Sequence, residues 1–339
     1  MKVIVVGSGI GGESFAAKFR LLSPNAEVTL LTRETFGYYS RPLLSNGFTR
    51  ENIEHKIVLR SFDDLRKDGI QLHDGVDVSA VDRANKTVLV RCGDRVETKP
   101  YDKLVLALGS SALIPRPFQP HRDLFFVLNS LADLKLLRRH RQSILDAGAT
   151  PRWAIIGGGL IGCEVASDLS AVGDSVEVFH AMPKLMERQL AEDDSDTLFE
   201  VLKASGVSVC LDAEVQGFAD TGSKRSVTTA EGEIGGFDGI IVACGFKPRT
   251  GLAETAGLAV GRGVVVDGCM RTGDPDIFAV GDVAQCPDGK IYAYILPIRS
   301  QALWLANHLS ESTTEPWKLP PFKPKAKVHG FEAAHPYKF

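Results

Sequence analysis

Two stretches of the chain place glycine where backbone N–H groups can receive a phosphate: Gly7-x-Gly9-x-x-Gly12 and Gly157-x-Gly159-x-x-Gly162. Each follows an apolar run, residues 3–6 and 153–156, and each leads into a stretch of small residues. A buried strand, a tight turn and a helix start would bring N–H groups and the positive end of a helix dipole to a pyrophosphate. The first glycine permits the turn, the second lets phosphate approach the backbone, and the third lets helix and strand pack closely. One such pattern is weak evidence. Two with matched flanks, about 150 residues apart, predict two dinucleotide sites in one chain. Such chains usually pass electrons between their dinucleotides.

The elements that must position these turns follow from spacing. Residues 27–32 read as a second parallel strand after the first helix. An acidic residue often follows that strand and accepts the ribose hydroxyls. Here Thr32 stands in the usual place and Glu34 two residues on, so Glu34 is either that acceptor or a solvated loop charge. Residues 36–47 read as a loop, residues 76–96 as an antiparallel insert, and residues 103–107 as a strand returning to the first sheet. Three prolines within 114–120 read as a linker before a charged helix over 131–145. In that helix the Arg138, Arg139, His140, Arg141 run is either a solvated face or a surface for an acidic partner.

After the second turn, residues 175–179 and 239–243 read as strands and 191–205 as a helix. Residues 245–250 read as a crossing back toward the first unit. Residues 277–282 read as a buried strand ending in Asp282, well placed to hold sugar or ribityl hydroxyls. A helix is expected over 297–309, opened by Pro297, and beyond Glu315 no period is visible.

With 339 residues, 44% of them hydrophobic, the chain is long enough for two or three domains with buried cores. A net charge of -3 and a pI near 6.3 argue against nucleic-acid binding by the whole protein. No apolar run spans a bilayer and none resembles a targeting segment, so a soluble cytoplasmic protein without a membrane role is expected. Six scattered cysteines without a Cys-x-x-Cys pair predict reduced thiols and no metal site. Cys163 stands apart because it lies within the second glycine turn.

The two fingerprints, Leu106-Ala107-Leu108-Gly109, Gly245-x-x-Pro248 and Ala279-x-Gly281-Asp282 occur together as in the two-dinucleotide flavoproteins related to glutathione reductase. Within that superfamily, residues 39–45 (YSRPLLS), 159–164 (GLIGCE), 248–250 and 261–267 make the chain resemble the rubredoxin reductases. The flavorubredoxin reductases are nearly as close. The resemblance implies an α/β fold of two Rossmann-like domains with a shortened C-terminal domain. It divides the chain into an FAD-binding domain at 1–113 and 245–315, an NAD(P)-binding domain at 114–244, and a C-terminal segment at 316–339.

The same resemblance implies roles for individual residues. Gly7, Gly9 and Gly12 would hold the ADP part of FAD, with its adenine near the backbone at Val78, and Asp282 its ribityl chain. Arg41 matches a basic residue beside the isoalloxazine, Ile295 a backbone contact at the flavin's pyrimidine end, and Lys325 a lysine that reaches the flavin. Gly157, Gly159 and Gly162 would hold NADH or NADPH, and Glu164 matches the acidic residue where nicotinamide meets flavin. His180 stands where NADH enzymes carry an acid and NADPH enzymes a base, with Lys184 four residues beyond; it is either near a 2′-phosphate or an ordinary loop histidine. In thiol-dependent relatives a redox cysteine occupies the position of Asn46, and asparagine forms neither thiolate nor disulfide.

What the resemblance implies is an NAD(P)H-dependent flavoprotein reductase without a redox-active cysteine, passing electrons to a rubredoxin or similar small iron protein. Lys318, Lys323, Lys325 and Lys327 would offer an acidic carrier a basic rim. Two alternatives stand beside it: a flavorubredoxin or ferredoxin reductase of an oxygenase system, and a nucleotide-responsive signalling flavoprotein of the apoptosis-inducing-factor kind. Members of the group continue into a domain that covers the flavin, so a chain of this length implies a flavin that is open or capped by a partner.

Overall fold

The computed structural model describes residues 1–313 and 315–338. They fold as two compact units, each built from discontinuous stretches of chain. The first comprises Met1–Ser40, Val58–Ser111 and Pro248–Phe322; the second comprises Arg41–Ile57, Ala112–Lys247 and Lys323–Phe339. Among the described residues no helix is long and apolar enough to cross a membrane.

The first unit is built on a five-stranded parallel sheet. Its strands are β1 (Lys2–Val6), β2 (Glu27–Leu31), β3 (Gln71–His73), β4 (Lys103–Leu106) and the strand Ile277–Ala279. Their order across the sheet is Ile277–Ala279, β4, β1, β2, β3. Val3, Val5, Leu104, Val105 and Leu106 are fully buried, the continuous apolar pattern of strands covered on both faces. Helix α1 (Ile10–Leu22) follows β1 and packs against the helix Ile295–Leu309. The latter starts at Ile295, two residues before the expected position, with Pro297 still inside the first turn. There its missing N–H has no intrahelical acceptor to lose. Strands Asp77–Asp82, Thr87–Cys92 and Arg95–Pro100 form the antiparallel insert.

The second unit repeats the plan with four parallel strands. They are β5 (Arg152–Ile156), β6 (Ser175–Phe179), β7 (Ser208–Cys210) and β8 (Gly239–Val242), in the order β7, β6, β5, β8. Helix α2 (Leu160–Ala171) follows β5. Trp153 is fully buried at the start of β5, and Gly239 beside it makes the room: a Cβ there would lie 2.3 Å from the indole. Helix Leu131–Asp146 opens on a capping box between Ser130 and Asp133, which satisfies two N-terminal N–H groups.

Three segments differ from the sequence reading. Residues 36–47 are structured rather than loop-like: Tyr38–Tyr39 pairs with Val58–Arg60, and Arg41–Asn46 is a 3-10 helix. The proline-rich linker is largely a 3-10 helix over Arg116–Leu124, with non-helical backbone at His121. The basic run on the charged helix is for the most part neither solvated nor available to a partner. Arg138 donates to the Gly47 carbonyl, His140 bonds the Asp238 carbonyl, and Arg141 grips Asp174 through two bonds of 2.8 Å. Only Arg139 of the four is exposed.

Candidate functional site

The two glycine turns have the same local geometry. Gly7 and Gly157 adopt φ of +107° and +113°, left-handed values that favour glycine. A Cβ on Gly12 would lie 1.8 Å from the Gly7 carbonyl oxygen, and one on Gly162 would lie 1.9 Å from that of Gly157. Both positions therefore require hydrogen in place of a side chain. At Gly9 and Gly159 a Cβ would meet nothing within 4 Å. Each of these is the N-cap of its helix, and neither helix has a side-chain cap. What results twice is an open space over uncapped N–H groups, which fits a dinucleotide pyrophosphate.

Each turn is also closed in the same way, by a bond from its second residue to the residue after the second strand. In the first unit the Ser8 and Thr32 hydroxyls lie 2.8 Å apart. In the second, Gly158 N–H donates to Nδ1 of His180 at 3.0 Å. That bond fixes the imidazole as the Nε2–H tautomer, and Nε2 faces two acceptors, the Lys184 carbonyl at 3.0 Å and Glu187 at 3.2 Å. The His180 ring is buried and packed against Gly158. The Lys184 ammonium is engaged by Asp196 at 2.5 Å and Glu192 at 3.6 Å.

The other candidates of the first unit are placed as follows. Glu34 accepts from the Tyr39 hydroxyl at 2.9 Å. Val78 is buried in the insert and pairs with Val90. Asp282 lies on a short 3-10 turn and accepts from the Ser110 hydroxyl at 2.7 Å. Ile295 is the first residue of its helix and is 37% exposed.

In the second unit, Glu164 and Asp168 lie one turn apart on α2, both completely buried. Glu164 accepts from the Ser45 hydroxyl at 2.5 Å and from the Lys327 backbone N–H at 2.9 Å, and both its oxygens lie 2.6 Å from the Lys327 ammonium. Asp168 accepts from the N–H groups of Phe48 and Thr49 and from the Thr49 hydroxyl, and lies 3.3 Å from His329 Nε2. Asn46 is buried beside Asp168. It donates to the Lys327 carbonyl at 3.3 Å and lies 3.5 Å from Asp168. Arg41 donates to the Asn129 carbonyl.

Lys325 points outward and pairs with Glu332 at 3.1 Å, both side chains largely exposed. The tail lysine that turns inward is Lys327, because the chain passes Glu164 at that residue and donates to it from backbone and side chain alike. Of the four lysines expected to form a basic rim, Lys327 is thus withdrawn and Lys325 is matched by a carboxylate; Lys318 and Lys323 are exposed. Sequence reasoning did not single out Asp168 or His329, named Ser45 only within a motif, and assigned Lys327 to the basic rim rather than to Glu164. The four-residue spacing of Glu164 and Asp168 was the available signal.

All six cysteines are unpaired. Burial pushes the Cys163 thiol far above its ordinary value, and Cys244 and Cys286 up to about 11. Cys163 donates to the Gly158 carbonyl, a packing role within the turn. Among the described residues no group of three or more His, Cys, Asp or Glu side chains is arranged to hold a metal ion.

Comparison with known proteins gives these motifs a context. The family model described as pyridine nucleotide-disulphide oxidoreductase matches residues 1–303. A rubredoxin-NAD(+) reductase of Acinetobacter baylyi is 30% identical over 92% of this chain and 79% of its own length. A nitric oxide reductase FlRd-NAD(+) reductase of Klebsiella pneumoniae is 31% identical over 96% and 83%. Among solved structures, the covalent putidaredoxin reductase–putidaredoxin complex superposes with a TM-score of 0.85 at 26% identity, covering 96% of this chain and 79% of that one.

Proposed function

The chain belongs to the pyridine nucleotide-disulphide oxidoreductase family, and from that premise we propose that it passes electrons from NAD(P)H, by way of FAD, to a rubredoxin or similar small iron protein. The observation that carries this reading is the pair of glycine turns, each an open cradle at an uncapped helix start. Gly7, Gly9 and Gly12 hold the ADP part of FAD, Val78 lies by its adenine, and Asp282 receives its ribityl hydroxyls. Gly157, Gly159 and Gly162 hold the nicotinamide dinucleotide. FAD held there would supply hydride acceptance from the nicotinamide and one-electron release.

The chain's own residues bind and orient rather than react. No thiol takes part: Asn46 stands in the segment where thiol-dependent relatives carry cysteine, and burial raises the pKa of Cys163, Cys210, Cys244, Cys269 and Cys286. Unpaired cysteines and a pyridine nucleotide substrate suit a soluble protein of the reducing cytoplasm. The second acceptor class, a flavorubredoxin or ferredoxin, is favoured by likeness to the Klebsiella relative and to the putidaredoxin reductase complex.

The test is stopped-flow reduction of the purified flavoprotein by NADH or NADPH, followed by mixing with rubredoxin, ferredoxin or air. Fast bleaching, with reoxidation by rubredoxin far faster than by air, is the expected result. Ferredoxin outpacing rubredoxin would select the second acceptor. No bleaching by either nucleotide would overturn the reductase reading in favour of a nucleotide-binding role.

A further inference from the structure

The residue after β6 is the place from which such folds usually present an acid to the adenosine ribose, and here that residue is His180. Its ring turns inward: Nδ1 accepts from Gly158, and Nε2 lies 3.2 Å from Glu187. The histidine therefore links the glycine turn to a carboxylate seven residues farther along. Glu187 is about one quarter exposed, whereas the imidazole is nearly closed off. The loop that carries Glu187 is held in place, because Leu185, Met186 and Leu190 are buried and Met186 N–H donates to the Gly158 carbonyl at 2.9 Å.

We infer that Glu187, positioned by His180, is the acid that receives the adenosine ribose hydroxyls, and that the second unit selects the dinucleotide without a 2′-phosphate. The inference rests on the proposed nicotinamide site. Two hydroxyls donate well to a carboxylate, whereas a 2′-phosphate beside Glu187 meets like charge. The nearby Lys184 ammonium does not offset this, since Asp196 and Glu192 already engage it. Arg188, 84% exposed and 3.5 Å from Glu187, is the cation through which the opposite preference would act.

The test is calorimetric titration of the FAD-loaded protein with NAD+ and with NADP+, which measures binding without turnover. The expected result is binding of NAD+ at least about tenfold tighter than NADP+, a difference of about 1.4 kcal/mol. Glu187→Gln should reduce that ratio to within about threefold, and Arg188→Ala should leave it unchanged. Equal or tighter binding of NADP+ by the unaltered protein, or an unchanged ratio in Glu187→Gln, overturns the inference. A preference for NADP+ that is lost in Arg188→Ala would assign specificity to the arginine. Binding of neither nucleotide would overturn the underlying site along with the inference.

Discussion

The Lys327 ammonium lies 2.6 Å from both oxygens of the buried Glu164 carboxylate, and the Lys327 backbone N–H donates to one of them as well. Removing one member of a buried pair leaves an uncompensated charge and costs about 3–5 kcal/mol. The lysine side chain is 29% exposed, so water moderates the loss. Lys327→Met should destabilise the second unit by about 1–3 kcal/mol. Adding Glu164→Gln should restore part of that, because the amide leaves no buried charge. Thermal unfolding of the two variants and the double variant checks both statements; equal loss in single and double variants would refute the coupling.

The glycine turns separate folding from binding. Gly12→Ala drives a methyl group into the Gly7 carbonyl, so the first unit should fold poorly and the protein should be recovered without flavin. At Gly9 the added methyl meets no protein atom. Gly9→Ala should therefore keep its secondary structure and unfolding midpoint while losing bound flavin, as read from the visible absorbance per mole of protein. A Gly9→Ala protein with a full complement of flavin would show that phosphate does not approach this backbone.

Asn46 gives a prediction about thiols. Alkylation of the native protein should label the exposed Cys92 first, with buried Cys163 the slowest, as mass spectrometry of timed samples would show. Asn46→Cys should not confer thiol peroxidase activity. Its sulfur would be buried next to the Asp168 carboxylate, and both burial and that negative charge disfavour a thiolate. Rapid alkylation of the introduced thiol at neutral pH would contradict this account.

The docking of the tail should depend on pH. Burial alone would raise the Asp194 carboxyl, but the backbone N–H groups of Ala334 and His335 and the His335 ring outweigh it and hold it below its ordinary value. A carboxyl with a lowered folded pKa stabilises at pH above its unfolded value and loses that contribution as pH falls through the folded one. Residues 331–338 should therefore show full protection near neutrality and become exposed below about pH 4. Hydrogen exchange with short pulses at graded pH measures this. Asp194→Asn should remove most of the pH dependence.

Much of the fold was legible because it rests on local signals. The runs at 3–6 and 153–156 read as buried strands and the glycines after them as turns because the same local pattern occurs twice with matched flanks. The antiparallel insert followed from alternation and the charged helix from its spacing. The inward turn of Lys327 was not legible, since Lys325 and Lys327 look alike in a segment without periodicity. Only the path of the chain past Glu164 separates them. The engagement of Arg138, His140 and Arg141 was hidden for a related reason: their acceptors at Gly47, Asp238 and Asp174 lie between 33 and 98 residues away. Glu34 and His180 stood open in the sequence because each depends on a side chain several residues away, Tyr39 and Glu187 respectively.

The second unit takes one strip of its chain from Arg41–Ile57 and another from Lys323–Phe339, and both are anchored on α2. This sets an order of events during synthesis. The first strip emerges from the ribosome before α2 exists, and the last emerges only after the whole of the first unit has been made. Until then Glu164 lacks its lysine and Asp194 its two backbone donors. The stretches of the first unit, by contrast, are complete at Phe322. A nascent chain halted there can assemble the first glycine turn in its finished setting, while the second waits for the closing strip.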